Sequence, residues 1–211
     1  MKWIHSLRNS KLPYYIYKLN KNDSVIIFEK HKNNNEFIII LYGTLYIIKI
    51  FKNEKTIPIV ILDKNNIFKS NKNNNEFYYK LIALETTYIL KTKIKTTKIY
   101  SKINIKLIDS IIESYNKTIK IYESIGEVIK QKQTNKRVIQ NIFLMLLNFG
   151  IMKNKQIYLP FRLSQKHLSL ISQTSEGTTS KIIKKTNIKW NIQYSTNKLI
   201  QTQDLFNLTV Q

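Results

Sequence analysis

The sequence predicts an α+β protein: an N-terminal antiparallel β-roll, a long helix and a C-terminal winged helix-turn-helix. Three observations predict it. Short β-branched and aromatic runs alternate with polar breakers up to about residue 90, which is typical of an antiparallel roll or barrel. Apolar residues then recur at three- and four-residue steps over 104–132, which indicates a helix. The stretch 163–193 reads as two short helices and a hairpin. We therefore assign 1–103 to the roll, 104–132 to a dimerisation helix and 133–211 to a DNA-binding domain.

The roll is predicted from runs such as FIIILY and TLYIIKIF, which flank Gly43. A tight turn between two strands needs a positive φ, which glycine adopts without strain, so Gly43 is predicted to close a hairpin. The asparagine-rich breakers at 20–23, 33–35 and 71–75 are predicted to be solvated loop tips.

The long helix carries two apolar stripes. The first has the a/d spacing of a coiled coil and contains Ile108, Ile112, Tyr115, Ile119, Tyr122, Gly126 and Ile129. The second contains Ile111, Ile121, Ile125 and Val128. A helix packed only on its own roll needs a single stripe, so two stripes favour a parallel homodimer. We predict that Ile112, Tyr115, Ile119 and Tyr122 form its contact, and that Thr134-Asn135 is the hinge and N-cap before the next helix.

In the helix-turn-helix, the first helix is predicted to bury Leu168 and Ile171, and the second to bury Ile182 and Ile183. The turn is predicted at 173–175, with Ser175 as the N-cap of the second helix. The predicted DNA-facing residues are Gln165, Ser175, Glu176, Gly177, Thr178, Lys181, Lys184 and Lys185. Taken alone, these residues also fit an ordinary helical hairpin in an α domain.

The net charge of +22, from 35 Lys and Arg against 13 Asp and Glu, points to a polyanionic partner. Part of this charge is explained by residues that A/T-rich codons favour, such as Lys, Asn, Ile, Tyr and Phe. Nucleic acid remains the predicted partner because the charge continues through the helix-turn-helix.

The composition argues against an enzyme. Cysteine is absent, which excludes disulfides, thiolate nucleophiles and iron–sulfur clusters. His5, His31 and His167 are scattered, so no metal site is predicted. The chain has no GxSxG, P-loop or GxGxxG motif, and its carboxylates form no catalytic pair.

Four segments resemble a known family. They are YKLNKNDSVIIFE (17–29), FIIILYGTLYIIKI (37–50), NKRVIQNIFLMLLNFG (135–150) and IYLPFRLSQKHLSLI (157–171). In this order and spacing they are similar to the CRP/FNR transcription regulators, most closely to the cyanobacterial global nitrogen regulators and their chloroplast-encoded relatives. The resemblance implies a roll like that of cyclic-nucleotide-binding domains and a link to nitrogen control. It implies three partners: double-stranded DNA, a second copy of the chain, and the plastid RNA polymerase.

The recognition helix departs from the family pattern. The family's turn glycine is matched by Gln173, and the arginine that reads a guanine edge is matched by Glu176. A carboxylate cannot donate to guanine and can only accept, for example from cytosine N4. Gly177 removes a side chain at the next base-facing position, whereas Lys181 keeps the charge of a second arginine. We therefore expect phosphate binding to persist while base readout has changed.

The predicted effector pocket departs as well. Family members bind an anion in this pocket with the help of arginines, and in the nitrogen regulators the anion is 2-oxoglutarate. In this chain Phe77 and Thr118 stand at the positions of these arginines. Without them the bidentate clamp on a carboxylate is lost. The residues that the resemblance leaves in the pocket are Phe68, Lys69, Lys80 and Glu123, with the two lysines as substitute point charges. No cofactor is predicted from the residues. Only the resemblance implies 2-oxoglutarate as a ligand.

The start of the chain does not resemble a signal or transit peptide, and no apolar run reaches the ~18 residues of a membrane span. We expect a soluble protein of a red-algal-type plastid, without membrane contact. The predicted function is a dimeric transcription regulator. Two alternatives stay open: a relative that binds nucleic acid non-specifically, and a protein-interaction module whose helix-turn-helix is structural.

Overall fold

The structure is a computed structural model that describes residues 2–27, 36–69, 76–93, 105–154, 156–190, 192–194 and 200–202. The chain forms two compact units, Met1–Tyr122 and Glu123–Gln211. No helix in these described ranges is both long enough and apolar enough to cross a membrane.

The first unit is a roll of two four-stranded antiparallel sheets, which confirms the predicted fold class. Its sheets have the strand orders β1-β8-β3-β6 and β2-β7-β4-β5. The elements are α1 (Lys2–Asn9), β1 (Tyr14–Leu19), β2 (Ser24–Ile27), β3 (Glu36–Tyr42), β4 (Leu45–Phe51), β5 (Thr56–Leu62), β6 (Ile67–Lys69), β7 (Phe77–Ala83), β8 (Thr87–Lys93) and α2 (Ile105–Ile129). Helix α1 was not predicted; it contributes Trp3 and Leu7 to a buried cluster with Leu107 of α2.

Gly43 occupies the turn between β3 and β4, as predicted. Its φ is +84°, and a Cβ there would lie 2.5 Å from Thr87 Oγ1 and 2.6 Å from the Thr86 carbonyl oxygen. Both the backbone conformation and the lack of space therefore require glycine.

The face that α2 buries is more polar than the periodicity predicts. Its buried residues are Leu107, Ser110, Ser114, Thr118 and Ile121. The Thr118 hydroxyl accepts from the Ile67 N–H at 3.0 Å and donates to the Ser114 carbonyl at 2.9 Å. Thr118 therefore joins α2 directly to β6, and Lys117 adds an ion pair to Asp63 at 2.8 Å.

The second unit is a winged helix-turn-helix. Its remaining elements are α3 (Thr134–Phe149), β9 (Ile151–Lys153), β10 (Gln156–Tyr158), α4 (Gln165–Ile171), α5 (Glu176–Trp190), β11 (Ile192–Tyr194) and β12 (Ile200–Thr202). The four strands form one sheet in the order β11-β12-β10-β9. The wing strands lie later than predicted, with β11 at the very end of the stretch 163–193 and β12 after it, because α5 continues to Trp190, and the sheet gains two strands from upstream. Helix α3 packs against α4 and α5, and its Val138, Ile142 and Leu146 are buried.

One predicted cap is wrong. The N-cap of α3 is Gln133, with no side-chain cap hydrogen bond, so Thr134 is already helical. The extended backbone of Gln133 lets its carbonyl accept from the Arg137 N–H at 3.0 Å, and this bond starts the helix before the predicted Thr134-Asn135 cap. The predicted boundary at 103/104 and the predicted loop tips at 33–35 and 71–75 lie outside the described residues.

Candidate nucleic-acid interface

The first helix of the motif, α4, begins at a capped turn. Ser164 is its N-cap, and the Ser164 hydroxyl accepts from the His167 N–H at 3.1 Å. Leu168 and Ile171 are buried, as predicted. The predicted DNA-facing Gln165 is the first residue of this helix and is half-buried.

The turn between α4 and α5 lies at residues 173–175, as predicted. Gln173 has φ +49°, in the left-handed region that side-chain-bearing residues seldom adopt. The Thr174 N–H donates to the Ser169 carbonyl at 2.9 Å, and the Gln173 N–H donates to the Leu170 carbonyl at 3.0 Å. These bonds end α4 and reverse the chain into α5.

Ser175 caps α5, as predicted. Its hydroxyl accepts from the Thr178 N–H at 3.1 Å and lies 2.8 Å from the Thr178 hydroxyl. Only one of these two hydroxyls can donate in their mutual bond, so the other keeps a proton for an outside acceptor. A phosphate oxygen at this helix N-terminus would be such an acceptor.

Over residues 176–186, helix α5 has a buried face and an exposed face, with Thr178 and Ser180 half-buried. Thr179, Ile182, Ile183 and Thr186 are buried. The exposed residues are Glu176, Gly177, Lys181, Lys184 and Lys185. The structure thus brings the predicted DNA-facing residues of α5 to one outward surface; the role of each stays a prediction.

The wing is tied to the start of α4 by Tyr194, which sequence reasoning missed. The Tyr194 hydroxyl donates to the Leu163 carbonyl at 2.7 Å. Burial raises the pKa of Tyr194, while the backbone N–H of Gln165 opposes this and the Glu176 carboxylate adds to it. The phenol is therefore protonated and able to donate at neutral pH. A tyrosine four residues after the end of a helix carries no sequence signal for this bond.

The interior of the roll is aromatic. Phe68 is buried, with its ring 5.1 Å from that of Tyr79, and the Phe77 ring lies 5.5 Å from Tyr79. The Lys49 ammonium lies 3.4 Å from the centroid of the Phe77 ring, a cation–π contact. Burial, and then the neighbouring Tyr79 and Tyr115, raise the pKa of Tyr122.

Lys69 and Lys80 are placed on the strand faces opposite to this aromatic cluster. Side chains alternate along a strand, so Lys69 follows Phe68 on the opposite face of β6, and its ammonium lies 5.3 Å from the Phe37 ring. Lys80 likewise follows Tyr79 on the opposite face of β7. Glu123 is exposed and belongs to the second unit. The structure brings Lys49 to the aromatic cluster, and the sequence did not single this residue out.

The predicted dimer residues of α2 differ in exposure. Ile112 and Ile119 are 52% and 42% exposed. Tyr115 packs partly on the buried cluster that contains Trp3 and Leu107. Among the predicted contact residues, Ile112 and Ile119 therefore face outward, whereas Tyr115 packs against its own roll.

Comparisons with known proteins agree with this architecture. No protein-family model matches the chain. A curated protein of Porphyra purpurea, named as the HTH-type transcriptional regulator ycf28, is 25% identical over 188 residues, which are 87% of this chain and 76% of that protein.

A cyclic nucleotide-binding domain containing protein from Listeria monocytogenes superposes with a TM-score of 0.73 at 15% identity, over 95% of this chain and 97% of that one. A transcriptional regulator of the CRP/FNR family from Thermus thermophilus gives a TM-score of 0.63 at 11% identity, over 90% and 94%. The chain therefore has the fold of the CRP/FNR regulators.

These findings agree with the resemblance, since the curated relative is named as a transcriptional regulator and the solved CRP/FNR regulator has the same fold. The finer likeness to the nitrogen regulators stays a prediction, as do the effector pocket and the dimer contact. No three His, Asp or Glu side chains converge on a common point in the part of the chain that the structure describes.

Proposed function

We propose that the chain is a homodimeric transcription regulator of a plastid, which binds double-stranded DNA through α5 and has lost the family's anionic effector. The observation that carries DNA binding is the outward face of α5. It joins the exposed Lys181, Lys184 and Lys185 to the hydroxyl pair of Ser175 and Thr178 at the helix N-terminus. Lysines and a helix N-terminus are suited to phosphates. The sequence from 123 to 211 supports this, with 13 Lys and Arg against 4 Asp and Glu.

Glu176 and Gly177 support a changed base readout. Both are exposed in the first turn of α5, from which recognition helices reach base edges. Glu176→Arg would supply a bidentate guanine donor and remove a carboxylate that faces a polyanion. We expect tighter binding and a gained preference for the GTA…TAC palindrome of the nitrogen-regulator type.

The experiment measures binding of wild type and Glu176→Arg to that palindrome and to a scrambled duplex over a range of salt concentrations. Glu176→Gln is the control, because it removes the charge without adding a guanine donor. The proposed change in readout is wrong if the wild-type chain already binds the palindrome tightly and selectively. A footprint of the protein across its own plastid DNA would identify the natural sites.

Non-specific nucleic-acid binding is the second candidate, and the same two residues favour it, since neither is a guanine donor. Each phosphate contact contributes about −0.9 to the slope of log affinity against log salt. A steep slope with equal affinity for palindrome and scrambled duplex would establish this candidate. If no nucleic acid binds at low salt, the helix-turn-helix is structural and the chain is a protein-interaction module.

Loss of the effector is supported by the roll interior. Phe77 stands where the resemblance places an arginine, and its ring contacts Lys49, Phe51 and Tyr79. Thr118, the other arginine position, is buried and hydrogen bonded to β6. We expect calorimetry with 2-oxoglutarate to show weak binding or none. Saturable binding at micromolar concentrations would contradict the proposal and point to Lys49.

A further inference from the structure

Arg137, one turn into α3, directs its guanidinium at backbone carbonyls. Its Nε donates to the Ser172 carbonyl at 2.6 Å and its Nη2 to the Gln173 carbonyl at 3.1 Å. Its Nη1 donates to the Gln131 carbonyl at 2.9 Å. Guanidinium carries five donors in a planar fork and stays charged at any relevant pH. One side chain can therefore hold two separate backbone segments at once.

The first of these segments is the turn at Ser172 and Gln173, which precedes α5 and sets its direction. The carbonyls at the end of a helix lack intrahelical partners and carry partial negative charge, which a cation stabilises. Gln173 also has the unfavourable φ of +49°. Asn141 adds a second bond from α3, since its Nδ2 donates to the Ser172 hydroxyl at 3.1 Å. Helix α3 thus fixes the turn through two side chains.

The second segment is the junction between α2 and α3. Gln131 lies after the last residue of α2, Ile129, and before the N-cap of α3, Gln133. Arg137 contacts both this junction and the turn before α5. A change in the backbone at the junction therefore has one of two effects. It breaks the hydrogen bond from Arg137 to the Gln131 carbonyl, or it moves the guanidinium that also holds the turn.

We propose that Arg137 is a positioning residue for DNA recognition, which ties the direction of α5 to the α2–α3 junction. The proposal rests on the proposed function, because it concerns the same DNA-binding surface. A side chain that contacts a base must be held within about 0.5 Å of its productive position. Lysines have long, flexible side chains and still reach phosphates when the helix is displaced. Loss of Arg137 should therefore reduce sequence preference more than total affinity.

The test uses the full chain and a duplex that the wild-type protein selects from a random-sequence library, with a scrambled duplex as reference. Arg137→Gln removes the charge and the fork. Lys136→Ala is the matched control, since Lys136 is the exposed neighbour on the same helix. For Arg137→Gln we expect the preference for the selected duplex to fall about tenfold, the order of one good base contact, with an unchanged salt slope. For Lys136→Ala we expect the preference to stay as in wild type.

A second measurement follows the turn itself by amide hydrogen exchange. The Gln173 and Thr174 amides should exchange faster in Arg137→Gln and as in wild type in Lys136→Ala. If Arg137→Gln does not fold, Arg137→Lys, which keeps the charge but not the fork, should show the same changes to a smaller extent.

Two results would overturn the proposal: a folded Arg137→Gln with unchanged preference and exchange, or a salt slope reduced by about 0.9, which would mean that Arg137 contacts a phosphate itself. Failure of the proposed function looks different, because the wild-type chain would then bind neither duplex or both equally. The exchange of the two amides would still decide whether Arg137 holds the turn.

Discussion

At the scale of single residues, Gly43 and Gly177 differ in whether the structure has room for a side chain at that position. Gly177 lies in the first turn of α5 and is exposed, and apart from its chain neighbours and its own helix backbone no described atom lies within 4 Å of the position of an added Cβ. Glycine costs about 0.5–1 kcal/mol relative to alanine in a helix. None of the described residues would meet a Cβ at 177, and we therefore predict that glycine there leaves room for a DNA backbone or a base edge on the outward surface.

Gly177→Ala should therefore raise the free energy of unfolding by about 0.5–1 kcal/mol, which urea denaturation followed by circular dichroism would measure. Gly43→Ala is the contrasting variant and should lower it, because φ is +84° and the added Cβ would collide with Thr87. A loss of stability in Gly177→Ala would show that the first turn of α5 is not helical at that residue.

Residue-scale features that depend on local chemistry were predictable from the sequence. The cap at Ser175 and the turn at Gln173 follow from residue type and position along the chain, and the structure shows both. Arg137 and Lys49 were not predictable, because each acts on groups that are distant in sequence or on a neighbouring strand. Arg137 reaches carbonyls about 35 residues away, and only the packing of α3 against α4 and α5 brings them together.

At the scale of elements, α2 shows where periodicity fails. The apolar pattern predicted the helix and an outward stripe, but not that Ser110, Ser114 and Thr118 are buried. A buried hydroxyl is tolerated when it bonds to a carbonyl of the preceding turn. Ser110 donates to the Lys106 carbonyl at 2.8 Å, and Thr118 to that of Ser114 at 2.9 Å. Small polar residues can therefore form a packed face that a hydrophobic pattern does not display.

Thr118→Val tests the junction of α2 and β6. Valine has the shape of threonine but cannot accept from the Ile67 N–H, which would lose its acceptor in a buried place. The expected cost is about 1–3 kcal/mol in the free energy of unfolding, measured by urea denaturation. Thr118→Ser, which keeps the hydroxyl, should cost less. Equal stability of Thr118→Val and wild type would mean that this hydrogen bond does not stabilise the docking of α2.

At the scale of the whole molecule, the outward face of α2 exposes four isoleucines. Ile105, Ile108, Ile112 and Ile119 are 74%, 40%, 52% and 42% exposed. Soluble monomers seldom expose a contiguous apolar surface of this kind without a partner. Three of the four residues lie on the stripe with a/d spacing, which favours a second copy of the same helix as the partner. Two motifs are also what a two-half-site operator requires.

Ile119→Asp should separate the dimer while leaving the monomer folded. Ile119 is outside the buried core, so an acidic residue there meets water in the monomer, whereas in the dimer it would be placed in an apolar contact worth ~1.5–3 kcal/mol for each buried side chain. Sedimentation should show a monomer with unchanged circular dichroism. Asn135→Asp adds the same charge to an exposed position on α3, outside α2, and should remain dimeric. The separated chain should bind a two-half-site operator more weakly and with a smaller salt slope, because one motif contacts fewer phosphates. An intact dimer in Ile119→Asp would show that α2 does not form the contact, and the exposed isoleucines would then need a different partner.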